Sequence, residues 1–322
     1  MRVFVAGATG AVGRELVPQL ISAGHAVAGL TRSESKAETI KRAGAEPIVA
    51  DVFDEPGIRQ AFVSFKPEIV IHQMTGLTGM TDLSHFDRTF AATNQLRTEG
   101  TDLLLVAARD VGVRRFIAQS YCGWTFARGG DPIKSENEAL DPEPPQEMRR
   151  TLDAIQYLER TVIGSAAPEG IVLRYGSFYG AGTGMLEPAM IDLVRRRRMP
   201  LLGDGGGWWS FLHVEDAASA AVAATDRGKA GQIYNIVDDE PAQVKEWLPA
   251  LASMLGARPP LHIPAWIGRL IAGEHMVSMM TQVRAASNAK AKRELGWRPA
   301  HRTWRAGFAE IIRQTEARQS AA

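Results

Sequence analysis

The stretch Val5-Ala6-Gly7-Ala8-Thr9-Gly10-Ala11-Val12-Gly13 decides how this chain folds. The apolar run Arg2–Ala6 reads as a strand, and Ala11–Ala23 has helical period, with Leu16, Leu20 and Ile21 on its buried face. Three glycines spaced by two residues join the two. Such a junction turns tightly, lets backbone N–H groups approach a pyrophosphate and aims a helix N-terminus at its charge. Gly7, Thr9, Gly10, Ala11, Val12 and Gly13 are therefore the expected contacts of a dinucleotide, against the alternative of a strand–helix turn without a ligand. Pro18 lies inside this first helix, removes one backbone donor and predicts a local kink.

Outward from the junction, short apolar runs alternate with longer helical segments, the pattern of a parallel sheet covered by helices. The expected strands are His25–Leu30, Glu46–Ala50, Glu68–His72, Arg115–Gln119 and Ile171–Arg174. Helices are expected from Ser33 to a stop at Gly44, over about Ser84–Asp110 as one long helix, and around Glu147–Ser165. Residues Arg128 to Gln146, rich in Pro, Gly and acids, read as a long surface loop. Beyond Gly176 the alternation loosens. Helices near Leu186–Arg198, Glu215–Arg227 and Gln243–Leu255 are separated by short strands and loops, and Ala265–Ala286 is mostly apolar. The fold class is thus α/β, a Rossmann-type doubly wound parallel sheet with a smaller C-terminal substrate-binding domain. The expected division is 1–175 for the nucleotide-binding domain and 176–322 for most of the substrate-binding one, with 232–237 returning to the sheet.

The chain's 322 residues amount to about two domains. Its 45% hydrophobic and 23% charged content excludes a disordered or collagen-like chain. Lys plus Arg number 37 against 36 Asp plus Glu, a net charge of +1, which lacks the basic surplus of a nucleic-acid binder. The single cysteine, Cys122, excludes an internal disulfide and a thiolate zinc cluster. No run approaches the ~18 uninterrupted apolar residues of a membrane helix, and Arg14 and Glu15 interrupt what would be a signal peptide's apolar core. The expectation is a cytoplasmic protein with a small-molecule substrate and no nucleic-acid or membrane partner.

The end of the second strand discriminates between cofactors. An acid there accepts the ribose 2′-hydroxyl of NAD, and a cation favours the 2′-phosphate of NADP. Here Leu30-Thr31-Arg32-Ser33 carries no acid before Glu34, and the fork of Arg32 suits phosphate. NADP is the expected cofactor and NAD the less favoured one, with a solvated loop cation as the alternative reading of Arg32. Asp51-Val52, after the third strand, is placed to meet the adenine, with Asp51 accepting from its amino group; Asp51 reads equally as a helix cap.

These residues resemble the short-chain dehydrogenase/reductase superfamily, in its extended and atypical branches that include nucleotide-sugar epimerases and dehydratases. The likeness covers nearly the whole chain. Gly7–Gly13 resembles the extended glycine pattern, Asp51-Val52 the adenine contact and Asn94 a structural asparagine. Leu173-Arg174-Tyr175-Gly176, with Tyr179-Gly180, resembles the loop that flanks the nicotinamide, which implies a cofactor contact for Tyr175. Phe211-Leu212-His213-Val214-Glu215-Asp216 and Lys290–Trp297 resemble later landmarks. The resemblance also implies pairing of the helices beginning near Ser84 and Glu147 in a homodimer.

The departure lies in the catalytic pair. The family uses a tyrosine, a lysine four residues on, and a serine or threonine from the fifth strand. Matching Glu159 and Val162 to the usual Glu-x-x-Val places Thr151 at the tyrosine position and Ile155 at the lysine position. Tyr157, followed by Thr161, reads as a helix-surface or core residue. Candidate catalytic residues are then Ser120 and Tyr121, at the carboxyl end of the fifth strand where open α/β sheets hold ligands, together with Thr151. Either of the first two would hydrogen-bond a substrate oxygen and relay a proton, while a loop tyrosine packing over the cofactor is the alternative for Tyr121. Arg149 and Arg150, at a helix start that disfavours cations, read as solvent-facing.

Nucleotide-sugar enzymes of the family place an arginine before the Phe-x-His-Val strand to hold a diphosphate. Here that position is Trp209, preceded by Trp208, and tryptophan covers an apolar ring instead. With Met276, Met279 and Met280 these residues suggest an apolar pocket, Trp208, Trp209 and Met279 being the substrate-side candidates, against plain domain packing. Arg195–Arg198 fits a helix C-terminus and reads as a solvated face. His72 reads as structural. The 7 histidines show no metal-ligand spacing, so no metal is expected, and the Gly-x-Ser-x-Gly elbow of hydrolases is absent. Three functions follow: an NADP-dependent oxidoreductase passing hydride to or from a small, fairly apolar carbonyl or enone-type substrate; an NAD(P)-dependent epimerase or dehydratase; or a non-catalytic NADP(H)-sensing protein.

Overall fold

The computed structural model describes residues 1–77 and 86–321. Seven strands form one sheet: β1 (Arg2–Ala6), β2 (Ala26–Thr31), β3 (Glu46–Val49), β4 (Ile69–His72), β5 (Arg115–Tyr121), β6 (Glu169–Tyr175) and β7 (Gln232–Ile236). Their order is β7-β6-β5-β4-β1-β2-β3, and every neighbouring pair is parallel. The strand order reverses between β1 and β4, which opens the crevice where such sheets bind ligands.

Alternation along β1 explains the two covering layers. Val3 and Val5 meet α1 (Ala11–Ser22), through Leu16, Val17 and Leu20, and α8 (Val214–Arg227), through its alanines. Phe4 and Ala6 meet α3 (Glu55–Phe65), through Ile58 and Phe62, and α5 (Glu99–Asp110), through Leu104, Leu105 and Ala108. Side chains of period two thus fill both faces, and helices of small and branched residues close them. α2 (Glu34–Arg42) and α6 (Arg149–Ile163) complete the layers.

A separate core lies in the C-terminal half, where Phe211, Trp247, Trp304 and Phe308 pack with Tyr179. Around it stand α7 (Pro188–Arg195), α9 (Val244–Met254) and α10 (Ala265–Thr281). This second core is what makes the C-terminal region a smaller domain against the sheet.

Several local expectations change. The single helix expected over Ser84–Asp110 is two, α4 (Phe86–Arg97) and α5, and its start at Ser84 lies outside the described residues. The break is at Thr98, with φ −95° and ψ −87°. Its hydroxyl donates back to the Asn94 carbonyl at 3.0 Å, the kind of local bond by which threonine bends a helix. α1 continues through Pro18 to Ser22 as one helix. α6 starts two residues later than expected, after a 3-10 turn over Gln146–Met148. Within the 128–146 loop, Ile133–Lys134 pairs in parallel with Ala285–Ala286, and Lys134 is buried. α10 contains a non-helical Gly273, at φ 86° and ψ 164°. Among the described residues, no helix is long and apolar enough to cross a membrane.

Candidate functional site

The glycine turn is built as the sequence requires. Gly7 has φ +96°, and a Cβ on it would stand 2.8 Å from the Gln73 backbone at the end of β4. A Cβ on Gly13 would stand 2.1 Å from the Gly7 carbonyl oxygen. β1, α1 and β4 can approach only without these side chains. Gly10 is the N-cap of α1, has no side-chain cap, and no acid follows in the first turn. The first N–H groups of α1 and its positive dipole end are therefore left for an anion. Arg14, one turn in, lies against Gly182, where an added Cβ would be 2.1 Å from its Nη2. Arg14 carries no motif signal beyond its charge, and sequence reading passed over it as a ligand.

At the ends of β2 and β3, Arg32 Nη1 lies 3.8 Å from Asp51 Oδ2, with the two side chains 76% and 43% exposed. Asp51 Oδ1 accepts from the Phe53 N–H at 3.0 Å, and the cap of α3 is Asp54, which accepts from Gly57. Val52 is buried in the core beneath. Tyr175 is fully buried, and its hydroxyl accepts from Gln73 Nε2 at 3.2 Å and donates to the Ala217 carbonyl at 3.5 Å.

Ser120 and Tyr121 leave β5 toward different surroundings. Ser120 Oγ is buried and donates to Glu159 Oε1 at 2.6 Å. The same oxygen accepts from Arg174 Nε at 2.7 Å, and Oε2 accepts from Arg174 Nη2 at 2.6 Å. Tyr121 is half-buried, and its hydroxyl lies 3.1 Å from Ser177 Oγ. Burial pushes that phenol up to about 12, so the group stays protonated at neutral pH. Thr151 is buried on α6 and accepts from Asn94 Nδ2 at 3.1 Å, so the position aligned with the family tyrosine is tied to α4. Ile155, one turn on, is buried among apolar side chains.

One apolar cluster joins the two halves of the chain. Phe86, Trp124, Met148, Leu152, Ile155 and Val283 form its buried centre, and Tyr121, Trp209 and Met279 pack against it. Trp209 is fixed by its indole N–H, which donates to the Met279 carbonyl at 2.8 Å, and by Trp247, 5.1 Å away between ring centroids. Trp208 is half-buried and pairs with Gln243. Sequence reading missed Phe86, Trp124 and Ser177. Ser177 directly follows the Leu173–Gly176 stretch, which was signal enough to include it.

The remaining singled-out residues have local partners. His72 is buried, its Nδ1 accepting from the Met74 N–H and its Nε2 facing the Leu96 carbonyl at 3.2 Å. Desolvation lowers its pKa to about 4. Tyr157 donates to Asp102 Oδ2 at 2.6 Å, a bond from α6 to α5. Arg150 lies 3.8 Å from Asp87, and Arg196 pairs with Asp192 within α7. His213, Glu215 and His301 bring ligand-type atoms within 4.8 Å of one another, a grouping that their separation in sequence concealed. The two imidazoles stack at 3.8 Å; His213 Nδ1 accepts from the Glu215 N–H, and His301 Nδ1 faces Asp216 Oδ2 at 3.1 Å. His213 Nδ1 thus caps α8, and His301 Nδ1 ties residue 301 to the start of that helix.

Comparison with known proteins adds to this geometry. Residues 3–237 match the NAD dependent epimerase/dehydratase family. The chain is 41% identical over 310 residues to a 3-diazoavenalumate denitrifying reductase of a Streptomyces species, covering 96% of this chain and 99% of that one. It is 26% identical over 318 residues to a 4-hydroxy-2-methyl-3-oxo-4-farnesyl-3,4-dihydroquinoline-1-oxide ketoreductase of Stigmatella aurantiaca, covering 92% of each. The fold is shared with the crystal structure of UDP-glucose 4-epimerase from Thermotoga maritima, at a TM-score of 0.76 and 22% identity over 98% of this chain and 99% of that one. With its glycine turn, its parallel sheet and its C-terminal domain, the protein belongs to the NAD-dependent epimerase/dehydratase family of the extended short-chain dehydrogenase/reductase superfamily, a family of enzymes that work with NAD(P).

Proposed function

We propose that the protein is an NADPH-dependent reductase of a small, fairly apolar carbonyl or enone-type substrate. The observation that carries this reading is the position of the Tyr121 hydroxyl. It projects from the carboxyl end of β5 beside Ser177, in the same cluster as Trp209 and Met279. A protonated phenol facing apolar side chains is suited to hydrogen-bond a carbonyl oxygen and donate a proton to it as it becomes an alcohol.

The nicotinamide supplies the hydride. The chain supplies the rest. Gly7, Thr9, Gly10, Ala11, Val12 and Gly13 cradle the pyrophosphate at the start of α1, Asp51 and Val52 meet the adenine, and Arg32 takes the 2′-phosphate. Arg32 is free for that role because an exposed ion pair with Asp51 contributes little. Ser120 has its proton committed to Glu159, so it positions the strand end and Tyr121 donates. Tyr175 steadies the β6 end from within the core, and Thr151 holds α6 to α4. Trp208, Trp209 and Met279 provide the apolar wall. The reductase and ketoreductase names of two relatives support the direction of hydride transfer.

The test is a side-by-side titration with NADPH and NADH, followed by turnover against a panel of aldehydes, ketones and enones. NADPH is expected to bind more tightly and to be oxidised in step with loss of one class of apolar carbonyl. Arg32→Ala is expected to weaken NADPH at least about tenfold, the worth of a charge-assisted bond, and NADH hardly at all. Isomerisation of a substrate with no net NADPH consumption would replace the reading with an epimerase. Binding of neither nucleotide would remove it.

A further inference from the structure

α4 ends on Arg97, and its guanidinium is turned inward; the residue is only 6% exposed. Its one hydrogen bond among the described residues runs from Nη1 to Asn94 Oδ1 at 3.4 Å, and it forms no ion pair there. A buried guanidinium without a counter-ion is costly, and proteins rarely keep one unless something arrives to neutralise it.

The neighbours sharpen the anomaly. Glu159, the buried carboxylate whose charge reaches Arg97, is already held by Nε and Nη2 of Arg174 and by Ser120. Asn94 passes its own amide to Thr151. His72 is kept neutral by burial, and Tyr121 keeps its proton. Glu159 is thereby matched to Arg174, and Arg97, near the carboxyl ends of β4 and β5, is left without a carboxylate partner of its own among the described residues.

We propose that Arg97 binds an oxyanion of the substrate, so that the molecule reduced here carries a carboxylate beside its apolar body. The inference rests on the reductase reading only in placing the reaction at these strand ends. A cofactor phosphate is the other source of an oxyanion. The uncapped start of α1 at the end of β1 already serves the phosphates, whereas Arg97 is linked through Asn94 to Thr151, on the α6 face that carries Leu152 and Ile155 into the apolar cluster. A planar guanidinium grips a carboxylate with two parallel bonds, which a lysine would not do.

The test is calorimetric titration of the NADP⁺-loaded protein with cinnamate and, separately, with cinnamamide, two ligands of one shape that differ in charge. Cinnamate is expected to bind at least tenfold more tightly. Arg97→Met is expected to abolish that preference, leave NADP⁺ affinity within twofold and leave the melting temperature unchanged or higher. Arg97→Gln serves the same comparison should the Met variant not fold. Equal binding of the two ligands by the wild type, binding of neither, or a preference that survives in Arg97→Met would overturn the proposal. A tenfold loss of NADP⁺ affinity in the variant would overturn it too, by assigning the cation to the cofactor. Because the readout is binding, failure to reduce any carbonyl would count against the reductase reading and leave this one standing.

Discussion

Glu159 Oε2 and Arg174 Nη2 lie 2.6 Å apart, with each side chain 5% exposed. The pair joins α6 to β6, and Ser120 at the end of β5 completes it. Removing one partner strands the other in a dry environment. Glu159→Gln is expected to cost roughly 3–5 kcal/mol, read as a lower urea midpoint at unchanged m. A loss below about 1 kcal/mol would put the pair in the class of solvent-screened bridges.

Gly13 and Gly10, in the first turn, are expected to respond differently to alanine. Gly13→Ala drives a Cβ to 2.1 Å from a backbone oxygen and is expected to abolish or severely destabilise folding. At Gly10 the added Cβ meets only the Gly7 carbonyl, at 3.4 Å. Gly10→Ala should therefore fold with a melting temperature within a few degrees of wild type, yet bind dinucleotide at least about tenfold more weakly, because the methyl occupies the approach to the helix N-terminus. Unchanged affinity in a folded Gly10→Ala would move the phosphates elsewhere.

Tyr121→Phe deletes one hydroxyl whose partner in the protein is Ser177. Stability is expected to change by about 1 kcal/mol or less, while kcat/KM falls by roughly 10²–10⁴, the usual yield of a positioned proton donor. Since burial holds the phenol at about 12, no ionisation of Tyr121 should appear in the rate profile at ordinary pH. Full activity in the Phe variant would leave the proton to another donor.

His72 sets an acid limit. Its pKa is lowered from 6.5 to about 4 by desolvation, so below pH 6.5 the unfolded chain takes up a proton that the folded chain refuses. Stability is full above that pH and declines as pH falls toward 4, by up to about 3 kcal/mol from this group. His213, lowered to about 4 by its own burial, adds to the same window. Replacing His72 by Gln is expected to lower stability at neutral pH and to flatten, without abolishing, the slope between pH 6.5 and 4. An unchanged slope would exclude His72 as its source.

The sheet was legible because β1, β4, β5 and β6 are buried on both faces and read as apolar runs, and because Gly7–Gly13 marks the junction of the first strand and its helix. The break at Thr98 was not. Apolar spacing continues from α4 into α5, and a single hydroxyl turned to Asn94 accompanies the bend. The ion pair of the interior was not legible either. Glu159 and Arg174 are 15 positions apart in sequence with no spacing that marks them as partners, and only the register of β5 against β6 brings Ser120 opposite Arg174. Tyr121, Trp209 and Met279 were each visible as unusual residues, but their meeting in one cluster depends on a C-terminal domain whose short strands carry almost no periodic signal.

The stretch after β6 has a consequence for how this molecule tolerates change. Ser177–Tyr179 pairs in parallel with Phe211–His213, and the Ser177 N–H donates to the Ser210 carbonyl at 2.8 Å. The chain from 180 to 210 is thereby a closed excursion, stitched at its stem and carrying the two tryptophans near its return. Lengthening such an excursion raises its closure entropy only with the logarithm of its length. Extra residues in the turns on either side of α7 leave the seven-stranded sheet in register, whereas α7 itself and Leu201–Leu202 are anchored by Ile191, Val194 and Leu202 in the C-terminal core, so tolerance to change is confined to the tips of the excursion.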